Sequence, residues 1–188
     1  MANRNTQGFG LVAAGTLGST PATSGQGKYK IDAGYGTTIY NGGAVASAAG
    51  YIVEGQGTDT PILGVLNGIF YNAATTLKPT FANAYIATIT PANSEDTDAF
   101  VFDNPQQQYV VATDAAVAQS GFLETYDMNT TAGSDTTGKS SATLDIADTS
   151  ADAATFRLLR VAEDPSNEDI TAAFASVVVV PNLIELQS

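Results

Sequence analysis

Short runs of β-branched and aromatic residues, each closed off by glycine, set the tightest limit on what this chain can fold into. Tyr29-Lys30-Ile31 alternates in character, Thr37-Thr38-Ile39-Tyr40 ends in the turn cluster Asn41-Gly42-Gly43, and Tyr51-Ile52-Val53 follows Gly50. Residues 62–71, 81–90, 100–102, 109–111, 142–147, 155–161 and 175–180 continue the pattern. Such side chains suit a pleated, half-buried surface, and glycine punctuates turns. Strands at this spacing predict a mainly β fold, a compact β-barrel or sandwich-like body. Helix is confined to one or two short stretches. Thr113-Asp114 caps an alanine-rich run ending at Ser120-Gly121, and residues 167–174 carry Glu168 and Asp169 at their front. The Thr, Ser, Gly and Asp content of residues 129–141 predicts a surface loop.

The first 27 residues differ from the rest. Glycine falls at 8, 10, 15, 18, 25 and 27 among Thr, Ser, Asn and Gln. That composition buries too little apolar surface to fold alone, so residues 1–27 are expected to form an extended arm that orders on contact with something else. Residues 28–188 then form a single β-rich body. Charge divides along nearly the same line. Residues 1–58 carry Arg4, Lys28 and Lys30 against Asp32 and Glu54, a sum of +1 in a chain whose net charge is -12. The remainder is strongly acidic, which predicts an arm that docks on an acidic partner and a body that stays solvated and self-repelling.

Much familiar chemistry is ruled out. The 188 residues include no His and no Cys. Ser-His-Asp and Cys-His nucleophile systems are therefore excluded, as are zinc sites built on thiolate and imidazole. A strongly acidic chain with scattered cations lacks the footprint that neutralises phosphates, so neither nucleic acid nor an anionic membrane is an expected partner. No apolar run approaches the roughly 20 residues that span a bilayer. The apolar patch at residues 9–14 is too short for a signal-peptide core, and the chain is expected to be unsecreted. Only 14% of residues are charged, so the polar surface is mostly hydroxyl and amide, which costs less to bury against another protein than charge does.

Two patterns offer catalytic or binding alternatives. Gly133-Ser134-Asp135-Thr136-Thr137-Gly138-Lys139-Ser140 satisfies the phosphate-loop spacing, with Lys139 on the terminal phosphates and Ser140 on magnesium. A phosphate loop needs a buried strand before it and a helix after it. Here a strand-like alternation follows. The clusters Glu95-Asp96-Thr97-Asp98, Asp127-x-Asn129-x-Thr131 and Asp145-x-x-Asp148-x-x-x-Asp152 hold oxygen ligands, but none has EF-hand spacing. They read as solvated turns, and no metal or cofactor is expected.

Phe156-Arg157-Leu158-Leu159-Arg160-Val161 alternates so that Phe156, Leu158 and Arg160 share one strand face and Arg157, Leu159 and Val161 the other. Arg157 and Arg160 are expected either to pair with nearby acids or to bond across a subunit interface. Val177-Val178-Val179-Val180 is apolar on both faces and stops at Pro181, which predicts a central strand or one covered by a neighbouring subunit.

The order of these pieces carries a resemblance. A Met1-Ala2-Asn3 start leads to Gly8-Phe9-Gly10-Leu11, the Gly/Ser/Thr arm, and Tyr29-Lys30-Ile31 opening the β body. Ile62-Leu63-Gly64-Val65-Leu66-Asn67-Gly68 follows with Phe70-Tyr71, and Phe156 to Val161 runs into Glu163-Asp164-Pro165-Ser166-Asn167-Glu168. This arrangement is similar to the head decoration, or cement, proteins of tailed bacteriophages, of the kind found in short-tailed phages and phages of cyanobacteria. Such proteins often continue past Phe-Gly-Leu through Pro and Arg, where this chain has Val12-Ala13-Ala14. The resemblance implies a viral structural protein without enzymatic activity. It would be a homotrimer at local threefold sites, made in the host cytoplasm and bound on the outer surface of the capsid, where it bridges and stabilises neighbouring major capsid proteins. The expected capsid contact is the arm and its junction: Phe9, Leu11 and Val12 as apolar anchors, with Lys28, Tyr29 and Lys30. The competing classes are a nucleotide-binding or acid-based hydrolytic enzyme, and a tail or host-attachment subunit.

Overall fold

The computed structural model describes residues 3–18, 25–130, 133–147 and 154–187. These residues form twelve strands: β1 (Val12–Thr16), β2 (Gly27–Ile31), β3 (Ala44–Ala48), β4 (Tyr51–Glu54), β5 (Gly64–Asn72), β6 (Pro79–Ala82), β7 (Thr97–Phe102), β8 (Gln107–Ala112), β9 (Thr125–Asn129), β10 (Thr143–Asp145), β11 (Phe156–Val161) and β12 (Ser176–Pro181). They build two antiparallel sheets, a mainly β, sandwich-like body. Sheet one runs β1-β8-β12-β11-β9-β10 and sheet two runs β2-β7-β5-β3-β4, with β6 also paired to β5. The short turn between β7 and β8 carries the chain from one sheet to the other.

Burial explains the order. All five residues from Ser176 to Val180 are buried, and β12 lies between β8 and β11 at the centre of sheet one, as its two apolar faces require. Val177 and Val179 point into a core shared with Tyr109, Val111, Phe156, Leu158, Tyr126 and Leu144. Ala44 and Val65 of the second sheet, with Ile62 from the segment before β5, close that core. A second core fills the opposite face of sheet two with Ile31, Val45, Ile52, Leu66, Ile69, Ala99 and Val101, and Ile39 and Tyr85 cover it. Each such fully buried aliphatic side chain contributes about 1.5–3 kcal/mol.

Two bulges set which residues share a face. In β5 the register shifts between Leu66 and Gly68, so Leu66 and Ile69 fall opposite Val101 and Ala99 and both enter the second core. In β11 the shift lies between Leu158 and Arg160. Arg157 stands opposite Val180 and Arg160 opposite Val178, so the two arginines share the outer face. Simple alternation had placed them on opposite faces, and the extra residue, Leu159, overturns it.

Other expectations are corrected. Of the two expected helical stretches, residues 113–121 contribute a bridge from Thr113 to Leu144 and one short 3₁₀ helix, Gln119–Gly121, while residues 167–174 form turns and no helix. Instead of a strand, residues 37–40 hold one bridge, Ile39 to Tyr85, and the run 81–90 is a strand only to Ala82. In both segments the apolar side chains cap the second core, and backbone pairing is secondary.

The separation of arm and body at residue 27 does not hold for residues 3–18. Asn3 donates its side-chain amide to the carbonyls of Asp169 and Ala173, at 2.9 Å each, and accepts from the Asp169 amide at 3.0 Å. The Asn5 amide bonds Asn167 Oδ1 at 2.6 Å, and the Gly10 and Leu11 amides bond the carbonyls of Ala142 and Gly42. β1 then joins sheet one through β8. The glycines that suggested a loose arm permit this close approach. A Cβ at Gly8 would overlap the Ser141 carbonyl oxygen, and one at Gly10, where φ is +74°, would sit 2.8 Å from that of Gly42. Residues 1–2 and 19–24 of the expected arm lie outside the described residues.

Candidate functional site

The six expected contact residues separate into three kinds of environment. Leu11 is 3% exposed and belongs to the first core, so its side chain is spent on the chain's own fold. Phe9 is half-buried. Val12 is 51% exposed on β1, the edge strand of sheet one. It opens a row with Val110 and Val178, its successive cross-strand partners, along which exposure falls to 2% at Val178.

Lys28, Tyr29 and Lys30 lie on β2, the edge of sheet two. Both lysines converge on Asp98, with Nζ to carboxylate distances of 2.8 Å for Lys28 and 2.6 Å for Lys30. Burial pushes the Asp98 carboxyl up, but the hydrogen bonds from Lys28 and Lys30 outweigh it and hold the group below its ordinary value. The same bond raises Lys30. Tyr29 donates to Asp103 at 2.7 Å, and burial together with that bond lifts its phenol to about 12. Two cations against one carboxylate leave this trio positive while the ammonium groups stay half in water.

These residues fall on one flank. β1 pairs with β8 and β2 with β7, and the β7–β8 turn joins those partners. Thr16 at the end of β1 and Gly27 at the start of β2 line one polar cleft with Asp103, Asn104 and Gln107, about 340 Å³ in volume. A chain lying on this flank would meet the outer edge of β1 with Val12 and, across the cleft, the lysines of β2.

The two arginines differ. Arg157 donates to the Leu123 carbonyl at 2.6 Å and to Asn182 Oδ1 at 3.3 Å, so its guanidinium is engaged within the chain, with no acidic partner among the described residues. Arg160 is 55% exposed and only 3.8 Å from the exposed Glu163, a pair with little energetic weight.

The phosphate-loop spacing folds into something else. The amides of Thr137 and Gly138 bond the Ser134 carbonyl, Ser134 and Lys139 pair as a bridge, and Ser140 bonds Asn41. The segment is a closed turn with Gly138 at φ +67° and the amides of Ser134, Thr137 and Gly138 engaged within it, and a strand, β10, follows it. That geometry offers no cradle for phosphate. Of the acidic clusters, Asp98 is tied to lysine and Asp127 is buried, accepting the Thr155 amide at 2.9 Å and hydroxyl at 3.1 Å. Thr131, Asp148 and Asp152 lie outside the described residues. Among the described residues no group of three or more carboxylates is placed to hold a metal ion.

One surface was missed by the sequence reading. Phe81 on β6 is 73% exposed and Leu77, in the preceding turn, 72% exposed. The available signal was charge: between Asp59 and Glu95 the sole charged residue is Lys78.

No protein-family model, curated protein or solved structure matches this chain.

Proposed function

We propose that this protein is a structural subunit of a bacteriophage head, bound as a homotrimer on the outer capsid surface, where it bridges neighbouring major capsid proteins and stabilises the shell. The observation that carries the reading is the flank where the end of β1 and the start of β2, the outer strands of the two sheets, meet at one polar cleft beside the β7–β8 turn. It offers the outer edge of β1, an exposed valine and two half-solvated lysines, all held by the sandwich. Such a surface binds an extended or loop segment of a partner by backbone pairing and modest apolar burial. The resemblance in the order of sequence pieces supports the capsid as that partner. The role is adhesive, without catalysis, cofactor, nucleic acid or membrane.

The energetics suit the role. A subunit that binds the assembled shell better than separated capsomers stabilises it by mass action, and three linked copies multiply weak contacts through avidity. A surface of hydroxyls and amides loses little on desolvation. The test is co-sedimentation of purified protein with undecorated heads, followed by reconstruction of the particles. Regular protrusions at threefold positions are the expected result. Protein left in the supernatant, or density on the tail alone, would overturn the reading.

A further inference from the structure

Across sheet two, Lys30, Asp98, Phe70 and Phe81 form one row on neighbouring strands β2, β7, β5 and β6. The Phe70 and Phe81 rings pack with centroids 4.7 Å apart, yet Phe81 keeps 73% of its surface in water. Leu77 stands at the turn leading into β6, 72% exposed and at φ +52°. A leucine in the left-handed region is strained where Gly or Asn would be at ease. The turn therefore carries an apolar side chain into solvent at a conformational cost. Lys78-Pro79 opens β6, a combination that discourages strand addition at a sheet edge. A partner is thus met by the side-chain face.

Charge selects the partner. The chain carries -12, so two copies repel over most of their surfaces. The segment between Asp59 and Glu95 escapes this, with Lys78 as its sole charge. Lys78 is exposed and makes no ion pair among the described residues. On the other side of Phe70 a cleft of about 120 Å³ is lined by Glu95, Asp96, Asp98 and Lys30; with Asp98 tied to Lys30, its acidity comes from Glu95 and Asp96. A cation beyond one side of an apolar pair and acids beyond the other is complementary to itself, head to tail.

We propose that Leu77, Phe81 and Phe70 form the contact between copies of this chain, with Lys78 of one copy against Glu95 of the next. The inference rests on the self-association named above and gives it a surface. Light scattering coupled to size exclusion reads it: the wild type should run as an oligomer, and Leu77→Asn should weaken association at least tenfold while keeping or raising the melting temperature, because it relieves the backbone. Phe81→Ser should also yield monomer. Lys78→Glu and Glu95→Lys should each weaken association, and the double variant should recover it.

A wild type that is monomeric at all concentrations overturns the proposal. So does a double variant that fails to recover, or a Leu77→Asn protein that stays oligomeric but loses capsid binding, which would make the patch a capsid contact. The two readings fail separately: an oligomer that ignores capsids sinks only the capsid role, and a monomer that binds capsids sinks this surface and the homotrimer while leaving the capsid role standing.

Discussion

Lys30 Nζ lies 2.6 Å from Oδ1 of Asp98, a carboxylate of which only 12% of the side-chain surface remains exposed. Asp98 titrates below the ordinary aspartate value of about 3.9, so the pair contributes its stability above that pH and loses it as pH falls through the folded value. Lys30 is shifted upward, and its share is lost only as pH rises through the raised value. Asp98→Asn should cost about 1–2 kcal/mol near neutral pH, discounted for the exposure of both lysines. It should also flatten the decline in melting temperature below about pH 4. Parallel curves of melting temperature against pH for the two proteins would refute the assignment.

Leu11 and Val12 are neighbours with opposite burdens. Leu11→Ala removes a side chain from the first core and should destabilise the protein by about 2–5 kcal/mol. Val12→Glu should leave the melting temperature near that of the wild type and abolish capsid co-sedimentation. Undiminished capsid binding by the Val12 variant would show that the β1 flank is not the docking surface.

For the arginines, Arg157→Ala should lose about 1–2 kcal/mol with its bonds to Leu123 and Asn182. Arg160→Ala should leave thermal unfolding unchanged. Urea denaturation of both variants measures the difference, and equal midpoints would contradict the geometry.

Lys139→Ala should behave as a surface substitution, with wild-type stability, because the turn from Ser134 to Lys139 is held by backbone bonds. Neither protein should shift its melting temperature on adding Mg-ATP. A nucleotide-dependent rise that Lys139→Ala removes would restore the phosphate-loop reading.

The strand signals were legible wherever β-branched runs are short and bounded, because burial of alternate side chains leaves that mark directly on the residue order. The mainly β class and the central position of Val177 to Val180 followed from it. The faces of Arg157 and Arg160 did not, since one bulged residue at Leu159 reverses every later position in the strand. Nor did the course of residues 3–18, whose attachments are hydrogen bonds and glycine contacts with segments far away along the chain. Composition reports how much apolar surface a segment brings, and says nothing of carbonyls elsewhere that await its amides. For the same reason the contact residues could be proposed as a group but not sorted: Leu11 and Val12 differ in destination by one step of a pleat.

The place of β12 between β8 and β11 also fixes an order of events during synthesis. Its two neighbours leave the ribosome first and wait, each with an unpaired edge, until residues 176–181 arrive between them. Sheet one is thus completed by the last of its strands to be made, which pairs locally with β11 but with β8 across more than sixty residues, a contact slow to form. A prematurely terminated chain would lack the middle of the sheet to which β1 is anchored through β8. It could not present that flank, and so could not compete with finished subunits for a place in an assembly.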